Sequence, residues 1–181
     1  MSSNRGWCAA LAAVCVVGAA VPVRAQVALE LRGGVNVPTF DIADAVKAGP
    51  SFGAGLSYAM SDKVWLMADV DFGSHDSKVD GGGDVDVAHY IAKLGYRVSG
   101  DDSKLAIVLN AGAGAMTFDV GDAGSFTYPA INVGAKFMYA LGSRTSFVFS
   151  PQGDIAFGKE EEIGTSNAWV WPVSAGFRIT F

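Results

Sequence analysis

After residue 25 no apolar run in this chain approaches the ~20 residues that a membrane-crossing helix needs, although half of the 181 residues are hydrophobic. Cysteine is scarce: the only two, Cys8 and Cys15, lie within the first 25 residues. That stretch carries a basic Arg5, an apolar run from Trp7 to Val21, a breaking Pro22 and the small-residue site Val23-Arg24-Ala25. The pattern predicts a secretory signal peptide over residues 1–25, removed after Ala25, and a mature domain over 26–181. The mature chain then has no cysteine, so disulfides are excluded as a source of stability even in an oxidising compartment. Basic residues are few as well. Without Arg5 and Arg24, eleven Lys and Arg face eighteen Asp and Glu, a net charge of −7, which argues against nucleic acid as a partner. No serine stands at a recognisable spacing from His75 or His89 to make a nucleophile–base pair. The stretch DGGGDVD, Asp80 to Asp86, lacks the later bidentate glutamate that a calcium loop uses. No cofactor or metal is expected.

What the chain has is alternation. Eight segments place apolar residues at every second position: 27–37, 51–60, 63–73, 85–98, 104–118, 125–140, 145–157 and 167–181. Period 2 marks strands, and a hydrophobic chain without a spanning helix can satisfy its backbone in a bilayer by closing a sheet into a barrel. The connections alternate in length. SD near Asp62, SGDDS and LGSR are tight; PTFDIADAVKAGP, SHDSKVDGGGD, DVGDAG and GKEEEIGTS are longer. Short turns at one end and long polar loops at the other fit an all-β, eight-stranded antiparallel up-and-down transmembrane β-barrel. A soluble lipocalin-like carrier is disfavoured, because its apolar face would point inward.

One parity collects Leu29, Leu31, Leu56, Leu66, Val70, Leu94, Leu109, Ile131, Val133 and Phe149, a band for lipid. Aromatics gather at its rims, with Tyr58, Tyr96, Tyr139 and Phe181 toward the short turns and Phe52, Phe72, Tyr90, Trp169 and Trp171 toward the long loops, as interfacial girdles do. Trp65 falls on the other parity, and the pattern gives no reason for it.

The inward parity collects Glu30, Arg32, Asp69, Asp71, His89, Lys93, Arg97, Lys136, Asp154 and Arg178, together with Asn110, Asn132 and Gln152. Eight strands enclose a lumen only wide enough for side chains, and unpaired charges there would cost several kcal/mol each. The acids and bases are therefore expected to form a structural network. Glu30 should lie near Arg178 or Arg32, and Asp69 near Lys93 or Arg97. His75, beside Asp76, reads as a solvated loop residue. Pro151 and Pro172 interrupt the last two strands and remove ladder donors, so a weak or bulged seam is expected there. The small inward residues Gly53, Gly55, Gly112, Gly114 and Ala130 leave room for a cavity.

The opening strand LRGGVNVP, the strand-turn-strand GAGLSYAMSDKVWLMADVDF and the terminal AGFRITF together resemble the small eight-stranded outer-membrane barrels of the OmpA/OmpX type, over essentially the whole mature length. The resemblance implies that the last strand, through Phe177, Ile179 and Phe181, is an address read by the barrel-assembly machinery. Together with the pattern it implies a monomer in the outer membrane of a Gram-negative-type envelope. The termini would be periplasmic, the long loops extracellular, and outer-membrane lipid and lipopolysaccharide the surroundings. A structural or surface-interaction role with a charge-plugged interior is expected. The alternative is a lipid-modifying enzyme or a small hydrophobic-ligand site in the outer half, since proline-interrupted strands resemble the lateral access of the lipid A palmitoyltransferase.

Overall fold

A computed structural model describes residues 27–78, 83–100, 103–121 and 124–181. The expected signal peptide, with Cys8 and Cys15, lies outside the described residues, as do residues 79–82 of the second long loop. The elements run β1 (Val27–Thr39), α1 (Ile42–Ala45), β2 (Gly49–Ala59), β3 (Val64–His75), β4 (Val85–Arg97), β5 (Leu105–Asp119), β6 (Ser125–Ala140), β7 (Thr145–Phe157), α2 (Glu160–Ile163) and β8 (Asn167–Thr180). Each strand pairs antiparallel with the next, and β8 pairs with β1 to close the barrel. Closure leaves no edge. The strands follow the alternation, so Leu31, Leu94 and Val133 face outward while Glu30, Lys93 and Asn132 are buried.

The lumen is layered. At the short-turn end Met67, Val108, Met138 and Val148 form an apolar plug with Trp65 against it. At the long-loop end Val87, Ile91, Met116, Phe118 and Val170 form a second plug. One-turn α1, too short to show a period in the sequence, drops Ile42 and Val46 into that second plug. Between the plugs lies the polar layer.

The strands keep their register through the proline seam, so the expected weakness shows as a gap in the pairing and not as a bulge. In β7–β8 the pairing Pro151↔Val173 resumes at Asp154↔Val170 in the same register. The donor missing at Pro151 is replaced by a side chain: Gln152 Nε2 donates to the Ala135 carbonyl at 2.9 Å. Beside it the Trp171 ring covers Gly153. The expected small-residue cavity is filled as well. A methyl group at Gly53 or Gly55 would collide with the carboxylates of Asp71 and Asp69, and one at Gly112 or Gly114 with the backbone of β4. Gln152→Leu should therefore cost about 1–3 kcal/mol by leaving the Ala135 carbonyl and Lys93 short of partners. Urea unfolding in detergent measures it, and an unchanged midpoint would show that the side chain does not replace the lost donor.

Candidate functional site

The polar layer is built on inward positions of β1, β3, β4, β6 and β8. Register places Glu30 directly opposite Arg178 across the closing seam. Glu30 accepts from three cations: Lys136 at 2.6 Å, Arg32 at 2.7 Å and Arg178 at 3.0 Å. Asp69 is likewise met by Lys93 at 2.8 Å, Lys136 at 3.1 Å and Arg32 at 3.3 Å. The far side of the Arg32 guanidinium reaches Asp71 at 3.1 Å. All seven side chains are buried, so these charge-assisted bonds form with little solvent screening.

Lys136 ties the lattice together, spanning from β6 to both Glu30 on β1 and Asp69 on β3. Arg97 stands apart. It sits at the short-turn mouth, donating to Ser99 Oγ at 3.1 Å and to the Gly100 carbonyl at 2.9 Å. The expected choice for Asp69 between Lys93 and Arg97 thus falls on Lys93. Trp65 also finds its reason here, because the Arg178 guanidinium lies 4.4 Å from its ring centroid. An inward indole completes the environment of a buried cation.

A second cluster lies toward the long loops. The Nδ1–H of His89 donates to Asp154 at 2.7 Å, and Asn132 Nδ2 donates to the other carboxylate oxygen at 2.5 Å. Nε2 of His89 lies 3.4 Å from Asn36 Nδ2. An imidazole oriented by a carboxylate is two thirds of a hydrolytic triad, but its remaining nitrogen meets an amide rather than a hydroxyl. Lys93 also extends the lattice to Gln152, donating to its Oε1 at 3.1 Å. Among the described residues no three His, Cys, Asp or Glu side chains converge at metal-ligand spacing.

His75 is not the solvated loop residue that its neighbour Asp76 suggests. It closes β3, is buried, and its Nδ1 donates to the Lys47 carbonyl at 2.9 Å. That bond, with the bridge Val46↔Ser77, stitches the first long loop to the second. In the fourth long loop Glu162 accepts from Tyr128 of β6 and pairs with Lys159 at 3.1 Å. These two bonds, the Tyr128 one first, hold the Glu162 carboxyl below its ordinary range. On the outer surface of β8, Phe177, Ile179 and Phe181 are 58, 48 and 74% exposed. The Phe181 amide donates to the Val27 carbonyl at 2.9 Å, which holds that residue beside the seam.

A cross-linked ionic layer thus stands between two apolar plugs. The family model for the outer membrane protein beta-barrel domain matches residues 8–179. Among solved structures, Neisserial surface protein A is 18% identical with a TM-score of 0.68, over 87% of this chain and 97% of that one. OprG of Pseudomonas aeruginosa is 15% identical at TM-score 0.62, over 86% and 95%. A major outer membrane protein from Thermus thermophilus is 12% identical at TM-score 0.62, over 87% and 100%. No curated protein matches the sequence.

Proposed function

The chain belongs to the outer membrane protein beta-barrel domain family, and from that premise we propose that it serves as a monomeric, non-conducting barrel with a structural or surface-interaction role. The observation that carries this reading is the lattice of Glu30, Asp69 and Asp71 with Arg32, Lys93, Lys136 and Arg178, closed by apolar side chains above and below. In this reading residues 1–25 are removed on export to a Gram-negative-type envelope, the termini are periplasmic, and the long loops are extracellular among lipid and lipopolysaccharide. The loops are the part free to meet partners. At the proline seam the β7–β8 register is the same on both sides of the gap and the Trp171 ring covers Gly153, which supports this reading over the lipid-modifying alternative.

The test is conductance. The purified barrel in planar bilayers at neutral pH should be nearly silent, because eight strands leave a lumen no wider than its side chains. Steady, large openings would overturn the plugged reading and move the function toward a pore.

The assembly machinery is the partner proposed for Phe177, Ile179 and Phe181. Phe181→Asp should lower the amount of surface-inserted protein several-fold in cells, while refolding of the purified variant into detergent changes little. Loss of one girdle contact alone would affect both equally. Undiminished insertion in cells would remove the addressing role.

A further inference from the structure

The first long loop caps the barrel mouth. Its helix α1 carries Ile42 into the outer apolar plug, and Val46 follows it. The bridge Val46↔Ser77 then ties the end of that loop to the start of the second. Two main-chain bonds flank the bridge: the Lys47 amide donates to the Asp76 carbonyl at 2.9 Å, and the Lys78 amide to the Ala45 carbonyl at 2.8 Å. The Lys78 ammonium adds a bond to the Ala43 carbonyl from the outside. From the inside the junction is fastened by His75, which is 1% exposed and donates from Nδ1 to the Lys47 carbonyl at 2.9 Å. A carbonyl only accepts, so the ring nitrogen facing it carries a proton. The other nitrogen, Nε2, is buried and among the described residues has no hydrogen-bond partner.

That environment suits a neutral imidazole and not an imidazolium. On β4 the register partner of His75 is Val85, while Asp86 and His89 act on it through space. Asp86 is exposed, and His89 is already given to Asp154. On β2, Gly49 brings up only main chain, since a methyl group there would collide with the Ser74 carbonyl. From the loops, Lys47 and Asp76 are exposed and paired with each other at 3.7 Å, and Asp44 of α1 and Lys78 are exposed as well. A second proton on the ring would thus place a charged N–H at Nε2 in a buried position with no acceptor, which a folded protein resists. Letting the loop go brings the ring to water, where the charge is solvated.

We propose that His75 is a proton-operated latch: neutral, it fastens the first long loop over the barrel mouth, and protonated, it releases that loop. The released form binds one proton more than the fastened form, so fastening strengthens as pH rises. It is complete above the ordinary histidine value of about 6.5 and is lost progressively below it. Release lifts Ile42 and Val46 off the outer plug and uncovers Val87 and Phe118, so the mouth presents an apolar surface in mild acid only. The ionic layer and the inner plug of Met67, Val108, Met138 and Val148 stay in place. Conductance therefore remains silent at either pH, and the latch stands or falls independently of the non-conducting reading.

The test is amide hydrogen exchange of the whole barrel folded in lipid vesicles, read by mass spectrometry and corrected for the intrinsic pH dependence of exchange. Opening of the segment 40–48 should rise about tenfold between about pH 7.5 and 5.5, the factor that one proton gives a full unit below the ordinary histidine value. Peptides from the middle of β4, β5 and β6 should not change. His75→Asn keeps an N–H donor near the place of Nδ1 but cannot take up a proton, so it should abolish the step and leave the loop fastened. His75→Ala should open the loop at both pH values. Asp76→Asn and His89→Gln should each retain the step. Nitrogen NMR of the unmodified barrel carries the test without any variant: the His75 ring should pass from the neutral Nδ1–H tautomer to imidazolium over the same pH range as the loop opens. Exchange of the segment that is equal at the two pH values would overturn the proposal. So would a step that survives in His75→Asn, a step that disappears in Asp76→Asn or His89→Gln, or a His75 ring that stays neutral while the loop opens.

Discussion

Glu30→Gln is expected to cost the barrel about 3–5 kcal/mol, the range for removing one partner from a buried ionic group. The size follows from the sharing. Lys136 and Arg32 lose their shortest bonds, at 2.6 and 2.7 Å, but keep Asp69. Among the described residues Arg178 loses its carboxylate partner and keeps the face of Trp65 and a weak bond to Met138 Sδ at 3.5 Å. Most of the penalty should therefore sit on Arg178, and Glu30→Gln/Arg178→Met should recover part of it, with a coupling of about 0.5–3 kcal/mol. Urea unfolding in lipid vesicles measures both variants. The same single variant should also leak in planar bilayers, since an uncompensated guanidinium in the lumen recruits water. A cost below about 1 kcal/mol would reduce the ion pairs to the level of surface salt bridges and remove the physical basis of the plug.

The sequence makes the wall of this barrel legible and the cross-lumen contacts much less so. In β6 and β7 the alternation marks both ends, because apolar residues stop where polar turn residues begin. In β1 the pairing runs on past the pattern, since Pro38 and Thr39 still face Val170 and Trp169 of β8. Parity tells which side chains enter the lumen, and neighbouring strands can be guessed as partners, as with Glu30 and Arg178. Parity carries no information about which residue crosses to a non-adjacent strand. That is why Lys136 joining Glu30 and Asp69, and His89 meeting Asp154, have no signal in the chain. Trp65 looks misplaced until Arg178 arrives from β8, and Gln152, though its inward parity is legible, gives no sign that it bonds the Ala135 carbonyl beside Pro151. His75 misleads because the polar residues around it imitate a loop while β3 continues to it.

Val133→Arg is expected to destabilise the membrane-embedded fold by about 2–4 kcal/mol, the depth-dependent cost of a cation on the lipid face near mid-bilayer. Val133 sits near the centre of β6 and is 52% exposed, and its register neighbours are Ala111 and Gly153. Neither neighbour offers an acceptor, and both ends of the strand are several residues away, so the guanidinium has a long path to water. Ile107→Arg tests the depth term. That residue is the third of β5, opposite Phe137 near the short turns, where an arginine can snorkel to the headgroups and the cost should fall toward about 0–1 kcal/mol. Asn110→Ser tests the face. Asn110 is buried on the inward parity and, among the described residues, neither of its amide atoms has a hydrogen-bond partner, so shortening it should shift stability by less than about 1 kcal/mol, the scale of one made hydrogen bond. All three can be read from one series of urea titrations in vesicles of fixed thickness. Equal losses at Val133 and Ile107 would show that the barrel sits at a different height in the bilayer, and a loss at Asn110 as large as that at Val133 would show that inside and outside had been exchanged.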